Sequence, residues 1–212
     1  MRDEETGSWW QQISGEALFG PLKGKRLTHV HDDQLTFEKW KAEKPNGLVL
    51  RPDEQFIKDY ASANWEERMQ KTPVVTPAVP GDPLPPRELI VGIELNPSKA
   101  YPFSVLQKQS PIVDVLNGTP IIIVLGDDKK SVRAFEQTID SQPVELFQKP
   151  DASQLTLVDP VTGSEFDFSG KAVSGPLAGK RLKQIDVLLD YWFDWKTYHP
   201  KTLVFRAGIG KP

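Results

Sequence analysis

Apolar and polar residues alternate in short stretches along the second half of this chain. Phe166 and Phe168 interleave with Glu165 and Asp167, the period of two that turns one face of a strand inward and the other to water. Short apolar pieces at Leu89 to Leu95, Pro120 to Leu125, Val132 to Ile139, Val144 to Phe147, Leu155 to Val158 and Leu203 to Phe205 complete the predicted strands. Turn chemistry separates them: Asn117-Gly118 tolerates positive φ, Asp140-Ser141-Gln142-Pro143 suits a loop, and Asp159-Pro160-Val161-Thr162-Gly163 turns the chain. Helical signals are fewer. Thr36 caps a predicted helix from Phe37 to Ala42 that Pro45 stops, and Asp190 caps a second, Tyr191 to Tyr198, that Pro200 stops. Phe37 and Trp40, like Trp192 and Trp195, are spaced i, i+3 and share a face, so each helix is expected to dock on a sheet through its aromatic stripe. A stacking platform for carbohydrate or a base is the alternative use of such a stripe. Glu54 to Lys71 reads as one or two short helices, with Asn64 as an N-cap.

The two halves share a pattern. Thr6 to Arg51 aligns with Thr162 to Arg206 with one gap at Ile13, and about 19 of about 45 aligned positions are identical. Both copies carry Thr-Gly-Ser, Ser-Gly-x-Ala, Gly-Pro-Leu-x-Gly-Lys-Arg-Leu, Trp-Lys, a proline and Leu-Val-x-Arg. More patterned sequence, beginning near Glu88, precedes Thr162 than precedes Thr6. The chain is therefore expected to hold the C-terminal half of a first unit (1–53), a helical segment and Pro-rich linker (54–87), and a complete second unit (88–212). Thr72 to Pro86, rich in proline, is an extended, semi-rigid connector. The expected fold class is α+β and β-rich, with short antiparallel strands forming a small barrel or sandwich-like sheet and one short docking helix per repeat unit.

Composition narrows the partners. Twenty-six basic against 29 acidic side chains, in 212 residues, leave a net charge of −3 and no basic stripe, which argues against a nucleic-acid partner. The apolar run Ile121 to Leu125 is too short to span a bilayer, and Met1-Arg2-Asp3-Glu4-Glu5 is too polar for a signal peptide. Without cysteine, these residues hold no disulfide, thiolate metal site or thiol nucleophile. Nineteen prolines favour turn-rich β structure.

Candidate chemistry is sparse. His29 and His31 flank Val30 in an extended stretch, so both imidazoles project from one face, with Asp32 and Asp33 as nearby oxygen ligands. His29, His31 and Asp33 are the metal candidates; solvated edge histidines are the plainer reading, since the second copy has Gln184 and Asp186 at the histidine positions. Gly20 to Arg26 and Gly175 to Arg181 look like phosphate loops but have the wrong spacing, no Ser or Thr after the lysine, and a proline lacking the needed N–H, so both are expected to be structural turns. Asp127-Asp128-Lys129-Lys130 reads as a solvated turn whose charges neutralise one another, with a catalytic carboxylate pair as the alternative. Arg51 and Arg206 are expected to bind carbonyls or a carboxylate, and His199 to sit as a cation at a helix C-terminus. No Ser/His/Asp arrangement, dinucleotide fingerprint or calcium loop is present, and no cofactor is called for.

Val91-Gly92-Ile93-Glu94, Lys99-Ala100-Tyr101-Pro102-Phe103, the strand Thr119 to Leu125, Thr6-Gly7-Ser8-Trp9-Trp10-Gln11-Gln12 and Gly-Pro-Leu-x-Gly together resemble the bacterial domain of unknown function 3179. The resemblance covers nearly everything but the proline linker. It implies a family without an assigned activity, whose members are commonly secreted or lipid-anchored, hence a periplasmic or extracellular location. It also implies a Cys-Pro-x-Cys after the strand and a histidine after Ala-Tyr-Pro. Gly126 and Lys129 stand where the cysteines would fall, and no histidine lies near Gln109 and Ser110. The expected function is a non-catalytic structural or binding module of an extracytoplasmic bacterial protein, as an N-terminally truncated fragment able to self-associate through its exposed half-unit, with its ligand unidentified. The alternative is a thiol-redox or metal-binding protein whose paired-cysteine site lies upstream.

Overall fold

Every residue from Ile121 to Leu125 is buried, which a strand with one solvent face does not allow. In the computed structural model, Ile121, Ile123 and Leu125 enter one apolar cluster while Ile122 and Val124 enter another on the opposite face. The structure describes residues 1–75, 80–150 and 152–208; part of the proline linker, Thr76 to Val79, lies outside the described residues. The chain divides into two compact units, Met1–Asp32 and Asp33–Pro212.

The first unit is a short hairpin, β1 (Trp9–Trp10) antiparallel to β2 (Ala17–Phe19), with Ala17 buried and Trp9 exposed.

The second unit begins with α1 (Phe37–Glu43), a 3-10 turn at Glu54–Phe56 and α2 (Trp65–Lys71). Then come β3 (Leu89–Ile93), β4 (Lys99–Pro102), α3 (Phe103–Gln109), β5 (Ile112–Leu116), β6 (Thr119–Leu125) and β7 (Val132–Glu136). The short strands β8 (Thr138–Ile139), β9 (Gln142–Pro143), β10 (Phe147–Gln148), β11 (Thr156–Val158), β12 (Glu165–Asp167), β13 (Ala172–Ser174) and β14 (Gln184–Ile185) follow. β15 (Leu188–Tyr191), α4 (Trp192–Tyr198) and β16 (Leu203–Val204) end it.

Three open sheets result, in the orders β15-β3-β4-β16, β14-β7-β6-β5 and β10-β11-β12-β13, beside the small β8-β9 hairpin. The sheet containing β6 is the middle layer. Val91, Ile93 and Tyr101 of the first sheet cover one of its faces, and Leu157, Phe166 and Ala172 of the third cover the other. The first sheet is buried on both faces too, because Ile90 and Ala100 pack outward against Trp192 and Trp195 of α4.

The expected barrel or sandwich-like sheet is therefore wrong. A barrel strand shows one face to the lumen and one to solvent, whereas β6 has a sheet on each side, and no described sheet closes on itself. Nor is the pairing wholly antiparallel: β16 runs parallel to β4. Residues 88–208 also carry two helices where one was expected, since α3 follows the Ala-Tyr-Pro strand and buries Leu106. Val144 to Phe147 is mostly irregular although Val144 and Leu146 are buried. Asp190 does not cap α4. It is held in β15 opposite Ile90, so the helix starts at Trp192 with Tyr191 at its N-cap.

Candidate functional site

The metal candidates fall on both sides of the unit boundary, His29 and His31 in the first unit and Asp33 in the second. The carboxylate of Asp33 accepts from Arg133 Nε at 2.9 Å, from Arg133 Nη2 at 2.8 Å and from Gln184 Nε2 at 2.7 Å. Glu43, at the end of α1, takes both Nη groups of Arg133 at 2.8 Å. Burial works against the Arg133 charge, but these two carboxylates push its pKa above the ordinary range, and Phe168 lies under the guanidinium. Among the described residues no group of three or more His, Cys, Asp or Glu is placed to hold a metal ion.

The turn after β6 holds the candidate carboxylate pair, Asp127 and Asp128, and the positions that the family resemblance assigns to paired cysteines. It is a hydrogen-bonded turn in which Lys129 N–H donates to the Gly126 carbonyl at 2.9 Å, with Lys129 at φ +56°. The expected neutralisation among its own charges does not occur. Asp128 instead accepts from the Ser131 hydroxyl and backbone, the Lys130 N–H and, at 2.7 Å, the Thr36 hydroxyl. Burial raises its pKa, yet these bonds hold it down at about 2. Asp127 accepts the Leu155 N–H at 3.0 Å and lies 3.8 Å from Lys39. The acids of this turn thus fasten the start of α1 and the approach to β11.

A third polar group escaped the sequence reading. Asp114 of β5 receives Lys99 Nζ at 2.5 Å and the Tyr101 hydroxyl at 2.9 Å. Burial, with Asp114 alongside, drives the Tyr101 pKa upward, so the phenol stays protonated and acts as a donor. The available signals were a lysine and an aspartate inside otherwise apolar strands, just as an arginine interrupts Val132 to Glu136.

The Gly-Pro-Leu-x-Gly loops are structural in both places, with the same bonds. The Leu22 N–H donates to Ser8 Oγ at 3.1 Å and the Leu177 N–H to Ser164 Oγ at 3.0 Å. Thr6 and Thr162 each donate a hydroxyl to the carboxylate before them, Asp3 and Asp159. A side chain at Gly20 or Gly175 would sit 2.7 or 2.6 Å from the Cα of that serine, and both residues have positive φ, so only glycine fits. The hydrogen bond from the Trp10 indole, then those from Thr6, hold the Asp3 pKa at about 2. An amide that a phosphate would need is already taken by a serine.

The aromatic stripes differ. On α4, Trp195 is 1% exposed, its ring lies against Gly92 of β3, and its Nε1–H donates to Thr202 Oγ1 at 2.9 Å. Downstream, Leu203 and Val204 pair with Lys99 and Ala100 of β4. On α1 no residue is buried, Phe37 is 61% exposed and stacks on Trp40 at 5.6 Å, and the corresponding Leu48 and Leu50 are 95% and 96% exposed. The expectation of a docked stripe holds for α4 and fails for α1. Beside Trp40 lies an open cleft of about 540 Å³ lined by Glu43, Lys44, Pro45, Asn46 and Gly47.

His199 is not the expected helix-end cation. Burial lowers its pKa, with Glu94 opposing, and its ring lies 3.9 Å from that of Trp195. Asp190 is raised to about 6 by burial, with Asp194 adding repulsion and the Tyr191 N–H opposing. Arg51 and Arg206 are exposed. Among the described residues no helix is long and apolar enough to cross a membrane.

No curated protein and no solved structure matches the chain. The family model DUF3179, described as a protein of unknown function, matches residues 1–202 in a single span that takes in both Gly-Pro-Leu-x-Gly loops, and the chain belongs to that family.

Proposed function

We propose that this chain is a non-catalytic structural and binding module of an extracytoplasmic bacterial protein. Residues 1–53 act as the rear half of a unit whose complete counterpart is 88–212, and 54–87 join them. The observation that carries the reading is the contrast between the two aromatic helices: Trp195 is buried and the Leu-Val that follows α4 pairs with β4, whereas Trp40 is half-buried and the Leu-Val that follows α1 lies open to solvent. The charged groups support it, because Asp128, Arg133, Asp33, Glu43 and Asp114 are engaged in bonds that fasten loops and strands. The extracytoplasmic assignment rests on the family resemblance. Fractionating cells that express the whole gene tests it: the protein belongs outside the cytoplasm, and recovery in the cytosolic fraction overturns the assignment.

One observation favours a thiol-redox or metal-binding alternative. Gly126 and Lys129 are the first and fourth residues of a hydrogen-bonded turn after a buried strand, a separation that would bring two thiols together if an upstream copy of the turn carried them. Sequencing upstream of Met1 decides between the readings. An in-frame strand followed by two cysteines at that spacing transfers the function to the upstream site, and a stop codon close upstream removes the alternative.

A further inference from the structure

In α4, three contacts define what a covered helix of this type needs. Trp195 lies across Gly92, the strand after the helix runs parallel to β4, and Lys196 is paired with Asp82, which precedes β3. All three partners belong to one β-hairpin, β3 to β4, and its lead-in.

The receiving residues are repeated around α1. Trp40 and Lys41 correspond to Trp195 and Lys196, Pro45 to Pro200, and Leu48-Val49-Leu50-Arg51 to Leu203-Val204-Phe205-Arg206. Trp40 instead leans on Gly47, where a Cβ would lie 2.4 Å from its ring. A seven-residue helix does not persist alone in water. This one is held by the Thr36 hydroxyl on Asp128, by Lys39 over Phe168, and by Glu43 on Arg133. On the aromatic face Trp40 is half-buried and Phe37 is exposed. Phe37, on that face, and residues 48–50, after the helix, together expose apolar side-chain surface on the order of 500 Å².

We propose that this face receives a β-hairpin of the β3–β4 type supplied by another polypeptide. The chemistry of the occupant follows from the covered helix. It has two antiparallel strands, a glycine where the first crosses Trp40, a second strand that lies parallel to residues 48–50, and a carboxylate ahead of the hairpin to meet Lys41. A second copy of this chain is a poor source, since its own hairpin already has β15 on one edge and β16 on the other. The proposal rests on the reading of this chain as a binding module.

The probe is a synthetic peptide of residues 82–103 of this same sequence, titrated calorimetrically into the full chain. One-to-one binding in the micromolar range is expected, with amide-exchange protection appearing at Val49 to Arg51. Leu48→Asp with Leu50→Asp, both at exposed positions, should weaken it at least tenfold, as should a Gly92→Val peptide, and Lys41→Glu should weaken it severalfold. Absence of binding to a chain that melts cooperatively overturns the proposal, as does binding that survives Leu48→Asp with Leu50→Asp. A dimer in light scattering without peptide, abolished by those same substitutions, would identify the occupant as a second copy and also overturn it. The module reading fails separately, on a cysteine pair found upstream, whatever the peptide does.

Discussion

Gly92→Ala tests whether the docking of α4 rests on a single missing methyl group. Gly92 lies in β3 between Leu188 and Ala100 and has no positive φ to preserve, so alanine is the better backbone residue there by about 0.5–1 kcal/mol. Its Cβ, however, would lie 2.3 Å from one Trp195 ring carbon and 2.6 Å from two others. Ordinary carbon contacts need about 3.5–4 Å, so the indole must retreat by more than about 1 Å. It has nowhere to go, being buried, bonded through Nε1–H to Thr202 and in contact with the tilted His199 ring. Overpacking costs about 1–3 kcal/mol, and a broken indole hydrogen bond adds about 1 kcal/mol. The net loss is about 1–3.5 kcal/mol, or about 2–14 °C in melting temperature for a unit of this size. Gly47→Ala is the control, because its Cβ would lie 2.4 Å from Trp40, yet that ring is only half-buried and can swing into solvent. Its cost should stay below about 1 kcal/mol. Urea unfolding of both variants measures the difference. Equal losses, or a Gly92→Ala protein melting within about 2 °C of the parent, would refute the reasoning.

Three further outcomes are expected. Arg133→Met should cost about 3 kcal/mol in urea unfolding, because it takes the guanidinium from the Asp33 and Glu43 carboxylates, whose partial exposure keeps the loss at the low end for a buried pair; a loss under about 1 kcal/mol would show that other partners already satisfy them. Asp190 binds its proton more tightly folded, at about 6, than unfolded, near 3.9, so its contribution is complete below pH ~4 and lost as pH rises through 6. Asp190→Asn should therefore raise stability at pH 7 by roughly 1–2 kcal/mol, allowing for partial exposure, and flatten the decline between pH 4 and 6; parallel pH profiles would contradict this. Zinc or copper should leave the melting temperature unchanged, since the Asp33 oxygens are engaged by Arg133 and Gln184; a rise of several degrees that disappears in His29→Ala with His31→Ala would establish a metal site instead.

What was legible in the sequence was what a few consecutive residues decide. Asn117-Gly118 makes the two-residue hairpin between β5 and β6, with φ of +53° and +76°, because few other residues tolerate that geometry. Thr36 caps α1 for an equally local reason, its hydroxyl accepting the Lys39 N–H at 3.3 Å. Strands β4 and β5 were not legible. Lys99-Ala100-Tyr101-Pro102 and Ile112 to Leu116 carry polar residues that suit a strand only because Lys99, Tyr101 and Asp114 meet one another across two sheets. The arrangement of the sheets was hidden likewise: a continuous apolar run shows that β6 is buried on both faces, but not that a separate sheet supplies each cover.

The metal candidates show the same limit from the other side. Spacing along the chain could nominate Asp33, but it could not foresee that Arg133, a hundred residues away, would take that carboxylate together with Glu43. The two aromatic helices make the case strongest. Both are short, both stop before a proline, and both carry Trp-Lys, so local code builds each of them. Burial is decided elsewhere, by whether a strand with a glycine at the crossing point is present to meet the tryptophan. A half-buried Trp40 beside exposed Leu48 and Leu50 is the state of this code where no such strand meets it. Supplying the hairpin is the perturbation that separates a vacant docking face from a surface that needs no cover.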